Sequence, residues 1–303
     1  MQDLRIVFLG TSAAMPSRER NVAGVALVTD GRVLLFDCGE GTQHQLLRAD
    51  GVRSGALDAI FISHLHGDHV YGLPGLLASL SLNARVAPLT LYGPRGLRAY
   101  VESALATTQH NPIFPLFVAE ESEHRGDGYR VDFAPVDHTT RCLAWRFIED
   151  DRPGRFDVDR ARELGVPAGP LYAQLQRGED VTIGDRIVRA ADVVGPSRPG
   201  RRVVYCTDTR PCAAAIELAR GADVLIHEST YGAEMQEEAR DRAHSTSVDA
   251  ARIAAEAGVG QLWLTHFSTR YTDVEPLVNE ARAVFPHVTA AADFACVAVE
   301  RPL

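Results

Sequence analysis

Four side chains of metal-ligand type fall within the six residues His64-Leu65-His66-Gly67-Asp68-His69. The run follows LDAIFIS, which reads as a buried strand, and precedes a stretch from Gly72 to Leu82 that is apolar at helical spacing. Two imidazoles two residues apart point the same way while the chain is extended, and Gly67 lets it turn to present Asp68 and His69. Imidazole nitrogen together with carboxylate oxygen suits Zn²⁺, with Mn²⁺ or Fe²⁺ as alternatives.

Other residues of the same type stand just past apolar runs: His138 after VDFAPVD, Asp208 after RRVVYCT and His266 after QLWLT. Each alone is equally a buried imidazole or a turn carboxylate, and only their company with the main run favours a metal. His244, in AHSTS, reads on its own as a neighbour of a helix cap near Ser245.

The elements that must position these residues follow from pattern. LRIVFLG is a short strand, and Asp30-Gly31 between VAGVALVT and RVLLFDCG marks a tight hairpin. TQHQLLR reads as helix, LTLYG as strand, LRAYVESALAT as helix, and YRVDFAPVDHTT with CLAWRFIED as paired strands. RRVVYCTDT, ADVLIHEST and QLWLTHFS are further strands, with helical spacing in VDAARIAAEAG. Residues 149–194 are charged, carry Pro153, Pro167 and Pro170, and show no sustained apolar period except near Leu171 to Leu175, which predicts an insertion projecting from the core. Its Arg152, Arg155, Arg160, Arg162 and Arg177 are offset by Asp150, Asp151, Asp157, Asp159, Glu163, Glu179 and Asp180.

Composition bounds the rest. With 303 residues, 46% hydrophobic and 23% charged, one domain of two layers is expected. MQDLRIVFLG has no signal-peptide pattern and no apolar run is long enough to span a bilayer, so the expectation is a cytoplasmic protein without a membrane partner. Five cysteines without a C-x-x-C pair predict reduced thiols. All 31 basic residues are Arg, and the net charge of −9 excludes a protein that coats nucleic acid non-specifically, so any RNA must meet local patches.

H-x-H-x-D-H at the end of a strand is the signature of the metallo-β-lactamase superfamily, and its extension HLHGDHVYGLPGLL resembles ribonuclease Z. FLGTSAAMPSRERN, LLFDCGEGTQHQLLR, GVPAGPLYAQL, CTDTRPC, LIHEST, AHSTS and LTHFSTRY carry the resemblance, in order, through nearly the whole chain. It implies an α/β fold: an αββα sandwich over residues 1–303 as one domain, with residues 149–194 as a flexible arm that binds tRNA. It also implies two Zn²⁺ per chain, one held by His64, His66 and His138 and the other by Asp68, His69 and His266, with Asp208 bridging and nearby Cys206 as the alternative ligand. In the same resemblance Asp68 orients the attacking water, His244 is the general acid and Glu228 keeps it charged. Arg18 and Arg20 of PSRERN are implied near the RNA 3′ end, and Gly169-Pro170 in the arm. The activity implied is that of a homodimeric, metal-dependent endoribonuclease that removes the 3′ trailer of precursor tRNA. Two alternatives stand beside it: another dinuclear-metal hydrolase of the fold, such as a phosphodiesterase, arylsulfatase or thioesterase, and a non-catalytic RNA-binding relative.

Overall fold

The computed structural model describes residues 3–301; residues 1, 2, 302 and 303, the ends of the expected domain, lie outside the described residues. The strands are β1 (Leu4–Gly10), β2 (Gly24–Thr29), β3 (Arg32–Phe36), β4 (Leu57–Phe61), β5 (Leu89–Gly93), β6 (Leu116–Glu120), β7 (His124–Gly126), β8 (Tyr129–Val136), β9 (Cys142–Glu149), β10 (Val181–Ile183), β11 (Arg186–Val188), β12 (Arg202–Cys206), β13 (Val224–Glu228), β14 (Gln261–Thr265), β15 (Val288–Ala290) and β16 (Cys296–Ala298). Two seven-stranded sheets have the orders β16-β1-β2-β3-β4-β5-β6 and β15-β14-β13-β12-β9-β8-β7. The chain divides into two compact units, one running to Ile148 and resuming from Arg202 to Glu300, the other from Glu149 to Arg201 together with Arg301.

In the larger unit, period-two alternation decides which side chain goes where. Leu4, Ile6 and Phe8 of β1 join Phe36, Phe61, Trp145, Phe147 and Tyr205 in the layer between the sheets. Val7 and Leu9 face the other way, toward Leu73, Leu76, Leu77 and Leu80 of the helix Leu73–Leu82. On the second sheet, Val204, Leu225 and Leu262 pack against Ala250, Ile253 and Ala254 of the helix Ser247–Ala257. The result is the expected αββα sandwich, because each sheet is apolar on both faces and needs a layer on each.

Local signals agree with this packing. Asp30 and Gly31 both have positive φ, 47° and 78°, as a two-residue turn between β2 and β3 requires. Thr246 and Asp249 form a capping box on the helix Ser247–Ala257, and Gly258 ends it with φ of 65°. Strands β7, β15 and β16 have no counterpart in the sequence reading, because three residues each are too few to display a period.

The smaller unit starts where the insertion was expected and extends to Arg201. It has its own apolar cluster: Ala161 and Leu175 from two short helices, Val181 and Val188 from the β10-β11 hairpin, and Leu164, Val166, Ala190 and Val193 from the turns between and after them. Apart from the stretch near Leu171 to Leu175, these residues sit in or beside elements of three to seven residues, so their spacing carries no readable period. Glu149 and Arg201, at its two ends, form a buried bidentate pair, Nε to Oε2 and Nη2 to Oε1, both 2.9 Å. Immediately outside it, Ile148 and Arg202 are register partners in the larger unit.

Trp145 is the largest fully buried side chain, and its Nε1 donates to Ile62 O across the sandwich at 3.2 Å. Trp145→Ala removes that bond and leaves a cavity between the sheets. The expected loss is about 3–5 kcal/mol of unfolding free energy, read as a lower urea midpoint at unchanged slope.

Candidate metal centre

Strands β4, β8, β12, β13 and β14 each end beside one site: His64 follows β4, His138 follows β8, Asp208 follows β12, Glu228 closes β13 and His266 follows β14. In sheets with parallel strands, the carboxyl ends are where side chains from separate segments can meet. The His64 to His69 run is held there by close backbone contact. Cys38 N donates to His69 O at 2.8 Å and Gly72 N to Cys38 O at 2.9 Å. A Cβ at Gly72 would lie 2.1 Å from Gly39 O, and one at Gly39 would lie 2.2 Å from Asp68 O, so only glycine fits either position. Asp37 and His266 hold left-handed backbone, φ 56° and 57°, which costs a non-glycine residue roughly 1–2 kcal/mol.

The ligand-type atoms gather into two groups that share Asp208 as a neighbour, and a third set joins Asp208 and His266 to His244. In the first, His64 Nε2 lies 3.0 Å from His66 Nδ1, which lies 3.3 Å from His138 Nε2. In the second, His69 Nε2 and His266 Nε2 lie 3.3 and 3.5 Å from Asp68 Oδ2. Asp208 faces both. Its Oδ2 is 3.6 and 3.8 Å from His64 and His138, and its Oδ1 is 3.4 and 3.1 Å from His69 and His266. Donors about 2.0–2.1 Å from a tetrahedral zinc stand roughly 3.3 Å apart, the scale of these separations.

The outer ring nitrogens are fixed by the protein. His69 Nδ1 is 2.7 Å from Asp37 Oδ2, His266 Nδ1 3.0 Å from Thr230 Oγ1, His138 Nδ1 2.8 Å from Ala243 O, and His64 Nδ1 3.0 Å from Ser63 Oγ. Each contact turns the other nitrogen inward. His69 Nε2 and His266 Nε2 are buried and have no hydrogen-bond partner among the described residues. Burial opposes charge on Asp208, but the surrounding His266, His69 and His64 hold its carboxyl well below the usual range. Burial and the neighbouring His69 push His64 well below the usual imidazole range. Anionic oxygens, a neutral imidazole and orphaned ring nitrogens fit divalent cations.

Beside the second group, His244 Nδ1 donates to Glu228 Oε1 at 2.9 Å and stands 4.0 Å from Asp208 Oδ2. Glu228 is wholly buried, and it accepts from Thr209 N at 2.7 Å and Thr230 Oγ1 at 2.6 Å. Burial opposes the imidazolium, but Glu228, by charge and hydrogen bond, pushes His244 up to about 9. The arrangement supplies a proton donor next to the ligand cluster.

The remaining expected residues are elsewhere or otherwise engaged. Arg18 is exposed. Arg20 Nη1 donates to Thr11 Oγ1 at 2.9 Å and Ala291 O at 3.1 Å, and its guanidinium lies 5.0 Å from the centre of the Phe267 ring. Arg20 therefore braces its own loop. Gly169 and Pro170 belong to the smaller unit, where Arg160, Arg162 and Arg177 pair with Glu163, Asp159 and Glu179. Cys206 stands outside the ligand groups, and burial raises its thiol well above the usual range.

Sequence reasoning assigned no role to three groups that orient the cluster. Asp37, in FDCGEG, accepts from Ser63 N, Ser63 Oγ and Tyr205 Oη besides His69. Thr230, two residues past Glu228, touches His266, His244 and Glu228 together. Ala14 N donates to Asp68 Oδ2 at 2.8 Å, a backbone contact that no side-chain motif announces.

A family model described as a beta-lactamase superfamily domain matches residues 175–267, and one described as anti-Pycsar protein Apyc1 matches residues 4–112. Ribonuclease Z of Gloeothece citriformis is 48% identical over 302 residues, covering 96% of this chain and 95% of that protein. Ribonuclease BN of Erwinia tasmaniensis is 46% identical over 301 residues, covering 96% and 99%. The crystal structure of the short form of human tRNase Z superposes with a TM-score of 0.70 at 26% identity, over 98% of this chain and 99% of that one. With identity near one half sustained from end to end, and the His/Asp cluster gathered at the edge of an αββα sandwich, the chain belongs to the ribonuclease Z family of the metallo-β-lactamase superfamily.

Proposed function

We propose that this chain is a zinc-dependent endoribonuclease that cuts the 3′ trailer from precursor tRNA, leaving a 3′-hydroxyl on the tRNA and a 5′-phosphate on the trailer. The observation that carries the mechanism is the union, in one place, of two ligand groups sharing Asp208 with an imidazole charged by a buried carboxylate. His64, His66 and His138 would hold one Zn²⁺, Asp68, His69 and His266 the other, with Asp208 between them. Such a pair, when bound, would lower the pKa of a water so that it can give up its proton near neutral pH, and would draw charge from the phosphate.

The chain's own residues supply the rest. Asp68 is held below the usual carboxylate range by His266 and His69 against the opposing effect of burial, and Ala14 N–H fixes its orientation. It receives the proton of the attacking water as the new oxygen–phosphorus bond forms. His244 gives a proton to the departing 3′-oxygen, so the tRNA leaves as an alcohol while the phosphate stays on the trailer. Glu228 holds the ring through Nδ1 and restores its charge preference after each turnover. The same reading includes a cytoplasmic homodimer whose smaller unit, with Gly169-Pro170, and whose exposed Arg18 meet the RNA; what supports these points is resemblance.

Incubation with a 3′-extended tRNA, followed by mapping of both new ends, is the direct test. Cleavage lost to chelator and restored by Zn²⁺ is expected; an intact precursor in the presence of Zn²⁺ overturns the assignment. Elemental analysis should give two zinc per chain in the wild type and less in Asp208→Ala. Asp37→Asn, which frees His69 Nδ1, is expected to weaken zinc affinity about 10–100-fold, measured by competition with a chromogenic chelator. His244→Ala should keep its zinc and slow single-turnover cleavage by about 10²–10⁴. An unchanged rate would remove His244 as the acid.

A further inference from the structure

We propose that a cavity beside His244 binds the nucleotide carrying the leaving 3′-oxygen, holding that nucleotide's 5′-phosphate with Arg240 and Arg252. The inference rests on the function proposed above. The cavity has a volume of about 640 Å³, and its walls include Arg210, Gln236, Arg240, His244, Asp249 and Arg252. Its size falls in the range of about 300–1,000 Å³ typical of small-ligand sites. Of the side chains at the metal centre, His244 alone lines it.

Charge selects an anion. In a chain of net charge −9, this wall sets three guanidinium groups against one carboxylate. That carboxylate is engaged: Asp249 Oδ2 accepts from Thr246 N, Thr246 Oγ1 and Gln236 Nε2 at 3.1, 2.8 and 2.9 Å. Arg252 Nη1 stands 3.7 Å from Asp249 Oδ1 with 67% of its side chain exposed, a pairing that neutralises little. The Arg240 guanidinium has no ion-pair partner among the described residues, whereas nearby Arg242 is paired with Glu238. Arg210 shapes the wall instead, with Nε donating to Arg240 O at 2.7 Å and Nη1 to Asp137 Oδ1 at 3.1 Å.

Geometry then selects which part of the RNA enters. In-line displacement places the attacking and leaving oxygens on opposite sides of phosphorus. His244 serves the leaving oxygen, so the nucleotide bearing that oxygen lies on the His244 side, and His244 is one wall of the cavity. The next phosphate toward the tRNA body belongs to that nucleotide, and planar guanidinium forks suit it.

The test compares wild type with an Arg240→Ala/Arg252→Ala double variant; both positions are exposed, so folding is preserved. The readout is the ratio of kcat/KM on 3′-extended tRNA to kcat/KM on bis(p-nitrophenyl) phosphate, a diester with no further phosphate. The ratio should fall at least about tenfold, and the salt dependence of mature tRNA binding should become shallower by about one to two in log–log slope. An unchanged ratio and slope overturn the subsite. If wild type hydrolyses the diester and leaves the precursor uncut, the functional reading fails, and the cavity is judged on equilibrium binding of adenosine 5′-monophosphate. Weaker binding by the double variant then supports it, and equal binding overturns it.

Discussion

The organisation of this protein depends on an excess of inward-facing lone pairs at one edge of the sandwich. Each of His64, His69, His138 and His266 gives one ring nitrogen to a fixed protein partner, which leaves the other turned toward Asp208. Water is excluded from most of this volume: His64, His69, His266 and Asp208 are all buried. Without a compensating positive charge, such an array repels itself and leaves Nε2 of His69 and of His266 unsatisfied. Burial opposes charge on His69, but Asp208 and Asp37 raise it well above the usual imidazole range. A divalent cation held here would compete with protons for the same nitrogens, which couples its binding to stability and to pH.

Positioning so many groups from distant segments requires a scaffold that brings strand ends to a common edge. The two sheets provide it, and the backbone tightens it. Gly39 and Gly72 let separate loops touch main chain to main chain, so the Asp68 carbonyl and the Cys38 carbonyl are set by hard contact as much as by hydrogen bonds. Strain at Asp37 and His266 is tolerated because both sides of each are anchored: Asp37 N donates to Phe61 O and Cys38 N to His69 O, while Thr265 O accepts from Ser229 N and Phe267 N donates to Thr11 O.

These two levels explain what could be read from the sequence. His64 to His69 is a local string at a strand end, and His138, Asp208 and His266 follow recognisable apolar strands, so the gathering of these groups was legible. Asp37 reaches His69 only because β3 and β4 lie side by side, and Ala14 reaches Asp68 only through a loop crossing, and neither adjacency exists in one dimension. Arg20 has contacts that its place in PSRERN does not announce: Thr11, Ala291 and Phe267 engage its guanidinium across the fold. In the smaller unit, Ala161, Leu175 and Val188 meet from separate short elements, so a region that reads as a projecting insertion has an interior.

The pairing of Ile148 with Arg202 has a consequence for how such a chain changes over time. These residues sit opposite each other on neighbouring antiparallel strands, and the whole excursion between them returns to its starting point. A tight two-residue turn is enough to bridge that gap. Lineages can therefore exchange, enlarge or discard the excursion as a cassette while the strand order on either side, and the ligand cluster it positions, are preserved.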